Sequence, residues 1–468
     1  MHTRESQITL EVARFIEQMG FDELPDEVLR LGKRCVLDGL AVILAGSQQQ
    51  CTHIVRDFSL KNSQLAESTA FGDEPVKLPA MFAALVNGTA GHAMDWDDTQ
   101  LSTTADRIFG LLTHPTVPPL VAALAVAETC DALSGKEFMT AFLTGFEVEC
   151  KIAEAIFPEH YAKGFHTSAT VGTFGAATAA AKLLGLSADQ LRHMLGITAS
   201  MASGIRVNFG TMTKSLHVGR AAQNGVTAAL LAHSGFEADP NALDGPWGFF
   251  QVFGRGFDAE RIVGKLGNPH TIVEPGVSIK PYPCGCLTHP SMDAMRAVVV
   301  ENDLTPDDIE AVVLYAGYNI LNPIRYTTAE DELQAKFCMP FLLAAIVISR
   351  KAGFQEFTPQ FVRAPQVQAL MRRIRMAFDP AIEAKGYDKM HSRVEVMLTN
   401  GQKLVREADE RYRGGPDNPL SDDELVEKFA DCTQSILDQA TREAVIEAVF
   451  GLDNLTEIRG LIDLIASA

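Results

Sequence analysis

Residues 87–99 read Asn-Gly-Thr-Ala-Gly-His-Ala-Met-Asp-Trp-Asp-Asp-Thr, and this stretch concentrates more chemistry than any other in the chain. Three carboxylates, Asp95, Asp97 and Asp98, fall within four positions, beside a histidine and a tryptophan. Like charges that close cannot all ionise comfortably. Either cations neutralise them or one keeps a proton, and both situations suit an acid–base site. The plainer alternative is a helix end carrying solvated aspartates.

Five further islands carry reactive side chains in turns. His114 lies in Leu-Leu-Thr-His-Pro-Thr, residues 111–116. His166 lies in Lys-Gly-Phe-His-Thr-Ser, residues 163–168, just before an Ala/Gly-rich segment, so a group placed there would feel a helix N-terminus. Lys214 stands in Asn-Phe-Gly-Thr-Met-Thr-Lys-Ser-Leu-His, residues 208–217, at a turn that opens a helix. His289 closes Tyr-Pro-Cys-Gly-Cys-Leu-Thr-His-Pro, residues 282–290. Lys336 sits in Gln-Ala-Lys-Phe-Cys-Met-Pro, residues 334–340. Each has a structural reading too: a histidine beside proline as a cap, Lys214 as a surface lysine, Lys336 as a snorkelling side chain. Their combination in Gly- or Pro-flanked turns lets the side chains converge.

Metal and nucleotide chemistry receive little support. Cys284, Cys286 and His289 form C-x-C-x-x-H, which lacks a fourth zinc ligand nearby. The other cysteines, at 35, 51, 130, 150, 338 and 432, do not form an iron–sulfur set. No P-loop, Rossmann fingerprint or G-x-S-x-G elbow occurs. The expectation is a site without metal or organic cofactor.

The elements that must position these residues are mostly helical. With 468 residues, the chain exceeds one ordinary core, so two domains are expected. Hydrophobic residues make up 47% and charged residues 21%, as in globular proteins. Helical apolar spacing marks 5–19 and 26–46, and then 78–94, 117–130, 135–157, 167–184, 188–203 and 215–234. After about residue 268 strands enter: Ala311–Gly317, then Ser392–Leu398 and Lys403–Ala408 joined by Thr399-Asn400-Gly401-Gln402. Helices are expected over 329–352 and 358–376. Arg413-Gly414-Gly415-Pro416 reads as a hinge, and Ser421…Glu424 as a capping box that restarts helix.

The fold class expected is therefore mainly α: a large all-helical domain over 1–267 and 416–468, with a smaller α+β lid domain, 268–415, inserted into it. The net charge of −19, with no basic stripe, argues against nucleic acid and anionic membranes as partners. The apolar stretches are too short to span a bilayer, no signal core is visible, and the eight scattered cysteines suit a reducing, cytoplasmic setting.

The order of the islands resembles the MmgE/PrpD family. The resemblance rests on Asn87–Thr99, His114-Pro115, His166 before its Ala/Gly-rich helix, Gly210-Thr211-Met212-Thr213-Lys214, the Tyr282–Pro290 stretch and Ala335–Pro340, and it covers essentially the whole chain. The family includes 2-methylcitrate dehydratase, cis-aconitate decarboxylase and iminodisuccinate epimerase. It implies a helical domain with an α+β lid, a homodimer, no metal or organic cofactor, and a small di- or tricarboxylate substrate. By resemblance to the decarboxylase branch, the site falls on Asp95, Thr99, His114, His166, Lys214 and His289, the last offered from the lid. The chain departs from that branch in the longer segment Gln100–Thr113 between Thr99 and His114, whose Thr103, Thr104, Asp106 and Arg107 are candidates for an added substrate contact.

The mechanism expected is acid–base chemistry at a carbon α to a carboxylate. His166 and Lys214 would bind carboxylate and stabilise the carbanion, with Arg107, Arg206 and Lys280 as further binding candidates. Asp95 would orient a histidine or act as base, and His114 and His289 would carry protons. Dehydration is placed slightly ahead of decarboxylation, epimerisation of an imino- or aminodicarboxylate is the alternative, and a non-catalytic helical binding protein is the competing class. That last reading predicts that the polar islands lie apart on the surface.

Overall fold

The computed structural model describes residues 8–101, 113–156, 159–386, 389–409 and 411–467. Two compact units divide them: the described residues of 8–277 together with 425–467, and those of 278–424. The chain is mainly α-helical.

In the first unit, in chain order, α1 is Ile8–Gln18, α2 Asp26–Ser47, α3 Gln50–Lys61, and a small antiparallel pair, β1 Ser68–Ala70 and β2 Val76–Leu78, precedes α4, Ala80–Ala93. Then follow α5 Val117–Ala127, α6 Gly135–Ile156, the single turn α7 Thr167–Thr170, α8 Gly172–Leu183, α9 Ala188–Met201 and α10 Met212–His233. Every residue of α5 is buried, as its all-apolar sequence requires. Glycine and alanine set how closely these helices cross. A Cβ on Gly88 of α4 would lie 2.9 Å from the Cα of Gly219 in α10, and one on Gly219 would lie 2.4 Å from the carbonyl oxygen of Leu85. Only hydrogen fits on both sides of that crossing. From it, His92 lies four residues further along α4, and Lys214 lies five residues back along α10. Each is just over a helical turn away, so the antiparallel pair carries both to the same end.

The second unit begins its regular structure with α11, His289–Glu301, and carries a mixed sheet. Its strands are β3 Ile309–Ala316, β4 Ile374–Phe378, β5 Ser392–Leu398 and β6 Lys403–Ala408, ordered β4-β3-β5-β6. β3 runs parallel to β4 and antiparallel to β5. The expected β5–β6 hairpin is present, and Gly401 turns it with φ 86°. In the first unit the chain closes with Gln439–Phe450 and Arg459–Ile465. The helix Asp422–Thr433 is capped as the sequence foretold: Ser421 N–H donates to Glu424 Oε2 and Glu424 N–H to Ser421 Oγ.

Two expected helices are corrected. The 329–352 segment is broken into Glu332–Ala335 and Met339–Ser349, because Pro340 cannot donate into a preceding turn and Cys338 is extended, with φ −123° and ψ 95°. The 358–376 segment forms Pro359–Val362 and Pro365–Met371 and then becomes strand β4, where pairing with β3 outweighs local propensity. The helix α3 and the β1–β2 pair were not anticipated. No helix among the described residues is long and apolar enough to cross a membrane.

Candidate active site

Four of the expected residues, Asp95, His114, His166 and Lys214, come together in the first unit, each no more than 8% exposed. Asp95 follows the end of α4 and has φ 55°, the left-handed conformation that favours glycine after a helix. An aspartate in that position spends backbone strain to aim a carboxylate. Its Oδ1 accepts from Lys214 Nζ at 3.1 Å. The same Nζ lies 3.0 Å from His92 Nε2. On its far side, His92 Nδ1 meets Asp97 Oδ2 at 2.7 Å. A carboxylate accepts, so Nδ1 carries the His92 proton, and Nε2 receives the lysine N–H. Asp97, His92, Lys214 and Asp95 thus form one chain of alternating acceptors and donors.

His114 is held from its backbone and its ring. Its N–H donates to Ser168 Oγ at 2.9 Å, and its Nδ1 donates to the Asp98 carbonyl oxygen at 2.7 Å. Because a carbonyl only accepts, Nε2 is the nitrogen at which His114 can gain or lose a proton. His166 occupies the cap position before α7, its N–H donating to the Gly204 carbonyl at 3.1 Å. Its Nδ1 pairs with His217 Nδ1 at 3.0 Å, and the ring meets the edge of Phe209 with centroids 4.9 Å apart. The His92 ring stands 4.7 Å from that of His114 and 5.6 Å from that of His166.

Burial and neighbouring positive groups favour the neutral form of His92, His166 and His217. Burial lowers the pKa of His92, with Lys214 adding to the effect against the pull of Asp97. His166 is driven well below the usual histidine range, first by burial and then by His92 and Lys214. His217 is pushed down to about 4 by burial and the same two neighbours. The third aspartate behaves differently. Burial, reinforced by Asp38, pushes Asp98 up to about 8, so at neutral pH it is largely a neutral carboxyl, bonded to Thr116. The crowding seen in the sequence is therefore relieved in two ways: Asp95 and Asp97 take donors, and Asp98 keeps its proton.

The remaining candidates take different places. Thr99 Oγ1 donates to the Thr113 carbonyl at 3.3 Å and is buried. The Arg206 guanidinium lies 3.7 Å over the Tyr161 ring and 6.0 Å from that of Phe209, one ring removed from His166. Arg107 lies outside the described residues, as does the core of the Gln100–Thr113 segment. His289 and Lys280 belong to the second unit and are buried there, His289 between the rings of Tyr282 and Tyr412 with centroids 5.3 and 6.1 Å away.

Three residues received no role from the sequence: His92 and His217, and Asp97, which was noted only as one of three crowded carboxylates. His217 follows Lys214 by three positions on one helix, which puts both on one face. His92 and Asp97 lay in the stretch already singled out, but nothing in their order says which aspartate serves which partner.

A metal must be considered, since His92, His114 and His166 each bring a ligand nitrogen within 4.8 Å of the others. That trio, and not the C-x-C-x-x-H stretch weighed and set aside in the sequence, is the metal-capable group among the described residues. Both His92 nitrogens are engaged, however, by Asp97 and Lys214, and the Lys214 ammonium 3.0 Å from His92 Nε2 would repel a dication. The set suits an anion better.

The sequence profile of the MmgE/PrpD N-terminal domain matches residues 10–262, and that of the MmgE/PrpD C-terminal domain matches 282–452. The chain belongs to the MmgE/PrpD family. It is 30% identical to cis-aconitate decarboxylase of Homo sapiens over 98% of this chain and 94% of that protein. Against the enzyme of that name from Mus musculus it is 30% identical over 96% of this chain and 91% of that one. The Aspergillus terreus enzyme is 25% identical over 98% and 96%.

Proposed function

We propose that this protein is a lyase that decarboxylates a small unsaturated tricarboxylate of the cis-aconitate kind. Family membership supports a lyase, and the relatives' names move decarboxylation ahead of dehydration, reversing the order that the residues alone suggested. The observation that carries the reading is the buried Lys214 ammonium, held between His92 Nε2 and Asp95 Oδ1 beside two further imidazoles. A scaffold protein has no use for such a cluster, and polar islands spread over the surface are not what is observed.

In the reaction, the carbon–carbon bond to the departing carboxylate breaks and carbon dioxide leaves. The electron pair flows into the adjoining unsaturated carboxylate, giving an enediolate-like anion, and a proton then adds to carbon. Lys214 is fixed in place before the charge develops, so it stabilises the anion without reorganising. Its third N–H can meet a substrate carboxylate. His114, with Nδ1–H tied to the Asp98 carbonyl, exchanges protons through Nε2 and is the proton carrier of the first unit. Asp95 orients Lys214, and His166 binds carboxylate. Thr99 remains a binding candidate and His289 the second proton carrier on the resemblance that nominated them, and Arg107, Arg206 and Lys280 remain cationic binding candidates. The second unit as a lid inserted at 268–415, the homodimer, the cytoplasmic setting and the absence of a cofactor belong to the same reading.

The test is incubation of the purified chain with cis-aconitate, citrate, 2-methylcitrate and iminosuccinate, followed by mass spectrometry. Loss of carbon dioxide from cis-aconitate is expected. Loss of water from 2-methylcitrate, or deuterium uptake without mass loss from iminosuccinate, would replace this reading by dehydration or epimerisation. Wild-type turnover in Lys214→Ala and His289→Ala would overturn the assignment of residues.

A further inference from the structure

His217 has no role in the reaction just described, yet its ring is built against His166. The Nδ1 atoms of the two face each other at 3.0 Å, and the His217 ring packs against Gly204, where even a Cβ would come within 3.5 Å of it. Gly204 also supplies the carbonyl that holds the His166 backbone. Both rings are therefore fixed from the same loop. Two imidazole nitrogens at this distance share one proton: either His166 donates and its Nε2 is a bare lone pair, or His217 donates and the His166 proton sits on Nε2.

The neighbours decide between the two. His92 and His114 each give their Nδ1 proton to an oxygen, so each keeps an Nε2 lone pair. A third lone pair on His166 would leave the cluster with Lys214 as its one strong donor toward an anion. With the proton on His166 Nε2, the cluster offers a second donor, and His114 and His166 become complementary, one able to take a proton and one able to give a hydrogen bond. The lone pair then left on His217 Nε2 stays on a residue outside the donor set that faces the substrate.

We propose that His217 is the positioning residue that makes His166 a hydrogen-bond donor to the substrate carboxylate: His217 Nδ1–H donates to His166 Nδ1 and so places the His166 proton on Nε2. The inference rests on the carboxylate substrate proposed above, and it adds the residue that sets the polarity of the site.

The test uses the full chain labelled with 15N-histidine and a long-range proton–nitrogen correlation spectrum without substrate. Protonated and bare ring nitrogens resonate far apart, and the His166 signals are those lost in His166→Gln. The expected pattern is a protonated Nε2 and a bare Nδ1 on His166. A proton on Nδ1 overturns the proposal. Two variants extend the test. In His217→Phe the His166 proton is no longer fixed, the pattern changes, and KM for cis-aconitate rises about tenfold while kcat changes less. In His217→Asn the amide Nδ2 stands near the position of the lost Nδ1 and donates, so pattern and KM return toward wild type. An unchanged spectrum with KM within twofold of wild type in His217→Phe overturns the proposal. Should His217→Phe not fold, the wild-type spectrum and His217→Asn decide. Because the spectrum is read without substrate, failure to release carbon dioxide from cis-aconitate would count against the activity and not against the tautomer.

Discussion

Asp98→Asn should remove a pH dependence that the wild-type chain carries in its stability. Asp98 is fully buried, lies near Asp38, and has its pKa pushed from 3.8 to about 8. The folded state therefore holds a proton that the unfolded state releases above about pH 4. With the folded pKa the higher of the two, the contribution to stability is complete below pH 4, declines as pH rises, and is gone above about 8. Between those limits the slope is about 1.4 kcal/mol per pH unit, so wild type should lose roughly 3 kcal/mol relative to Asp98→Asn from pH 5 to pH 7. Asparagine matches the neutral carboxyl in shape; its Oδ1 can keep accepting from the Thr116 N–H, and Thr116 Oγ1, which donates to Asp98 Oδ2, can turn to accept from the new NH2. The Asp98 carbonyl that receives His114 Nδ1–H belongs to the backbone and stays. Activity at pH 7 should survive. The assay is urea unfolding at several pH values, followed through the fluorescence of Trp96, which is 2% exposed and two residues away. Other buried acids, such as Glu149, are present in both proteins and cancel to first order in the difference. Parallel stability–pH curves over pH 5–8 would refute the reasoning.

Other outcomes follow from the same geometry. Lys214→Met keeps the bulk of the side chain and removes the charge, so kcat/KM for cis-aconitate should fall by about 10²–10³, the usual cost of one preorganised stabilising group; steady-state carbon dioxide release measures it. Gly219→Ala would push a Cβ to 2.2 Å from Thr89 Oγ1 and 2.4 Å from the Leu85 carbonyl. Thermal unfolding should show a loss of about 1–3 kcal/mol from overpacking, and activity should drop as α4 and α10 separate His92 from Lys214. Gly460→Ala, with no atom within 4 Å of the new Cβ, is the neutral control.

What the sequence disclosed and what it withheld have physical causes. Long periodic segments such as 26–46 and 117–130 became helices because their apolar residues surround or face a core, a property local in the chain. The capping box at Ser421 was legible for the same reason. Residues 374–378 became a strand only because β3 lies beside them, which no window of the sequence contains. The site followed the same rule. Types and flanking turns nominated Asp95, His114, His166 and Lys214, and they do meet. Pairings were hidden, because they depend on the crossing of α4 over α10 at Gly88 and Gly219. The neutral state of Asp98 was half visible: crowding called either for cations or for one aspartate to keep its proton, and burial beside Asp38 holds a proton on Asp98.

The charge balance of the cluster leads to one more consequence. Among the described residues, the group gathered in the first unit carries one ammonium, Lys214, against the carboxylates Asp95 and Asp97, with Asp98 largely neutral and burial favouring neutral His92, His166 and His217. A tricarboxylate entering such a place brings negative charge next to His166 and His217, whose pKa values are depressed by burial, His92 and Lys214. An anion opposes these effects and raises those values. Linkage then requires that binding take up protons between the free and the bound pKa, so affinity must increase as pH falls through that window. Tricarballylate, a saturated tricarboxylate that has no double bond to receive the electron pair, isolates binding from turnover. Calorimetric titration at pH 6 and pH 8 should show tighter binding at the lower pH, by about tenfold per pH unit for each proton taken up across that window, since one unit of pKa is one decade in the equilibrium constant. Repeating it in buffers of different ionisation enthalpy should show net proton uptake. A dissociation constant that is the same at both values, with no buffer dependence of the heat, would mean that the imidazoles stay neutral around the bound anion and that its charge is met by other cations.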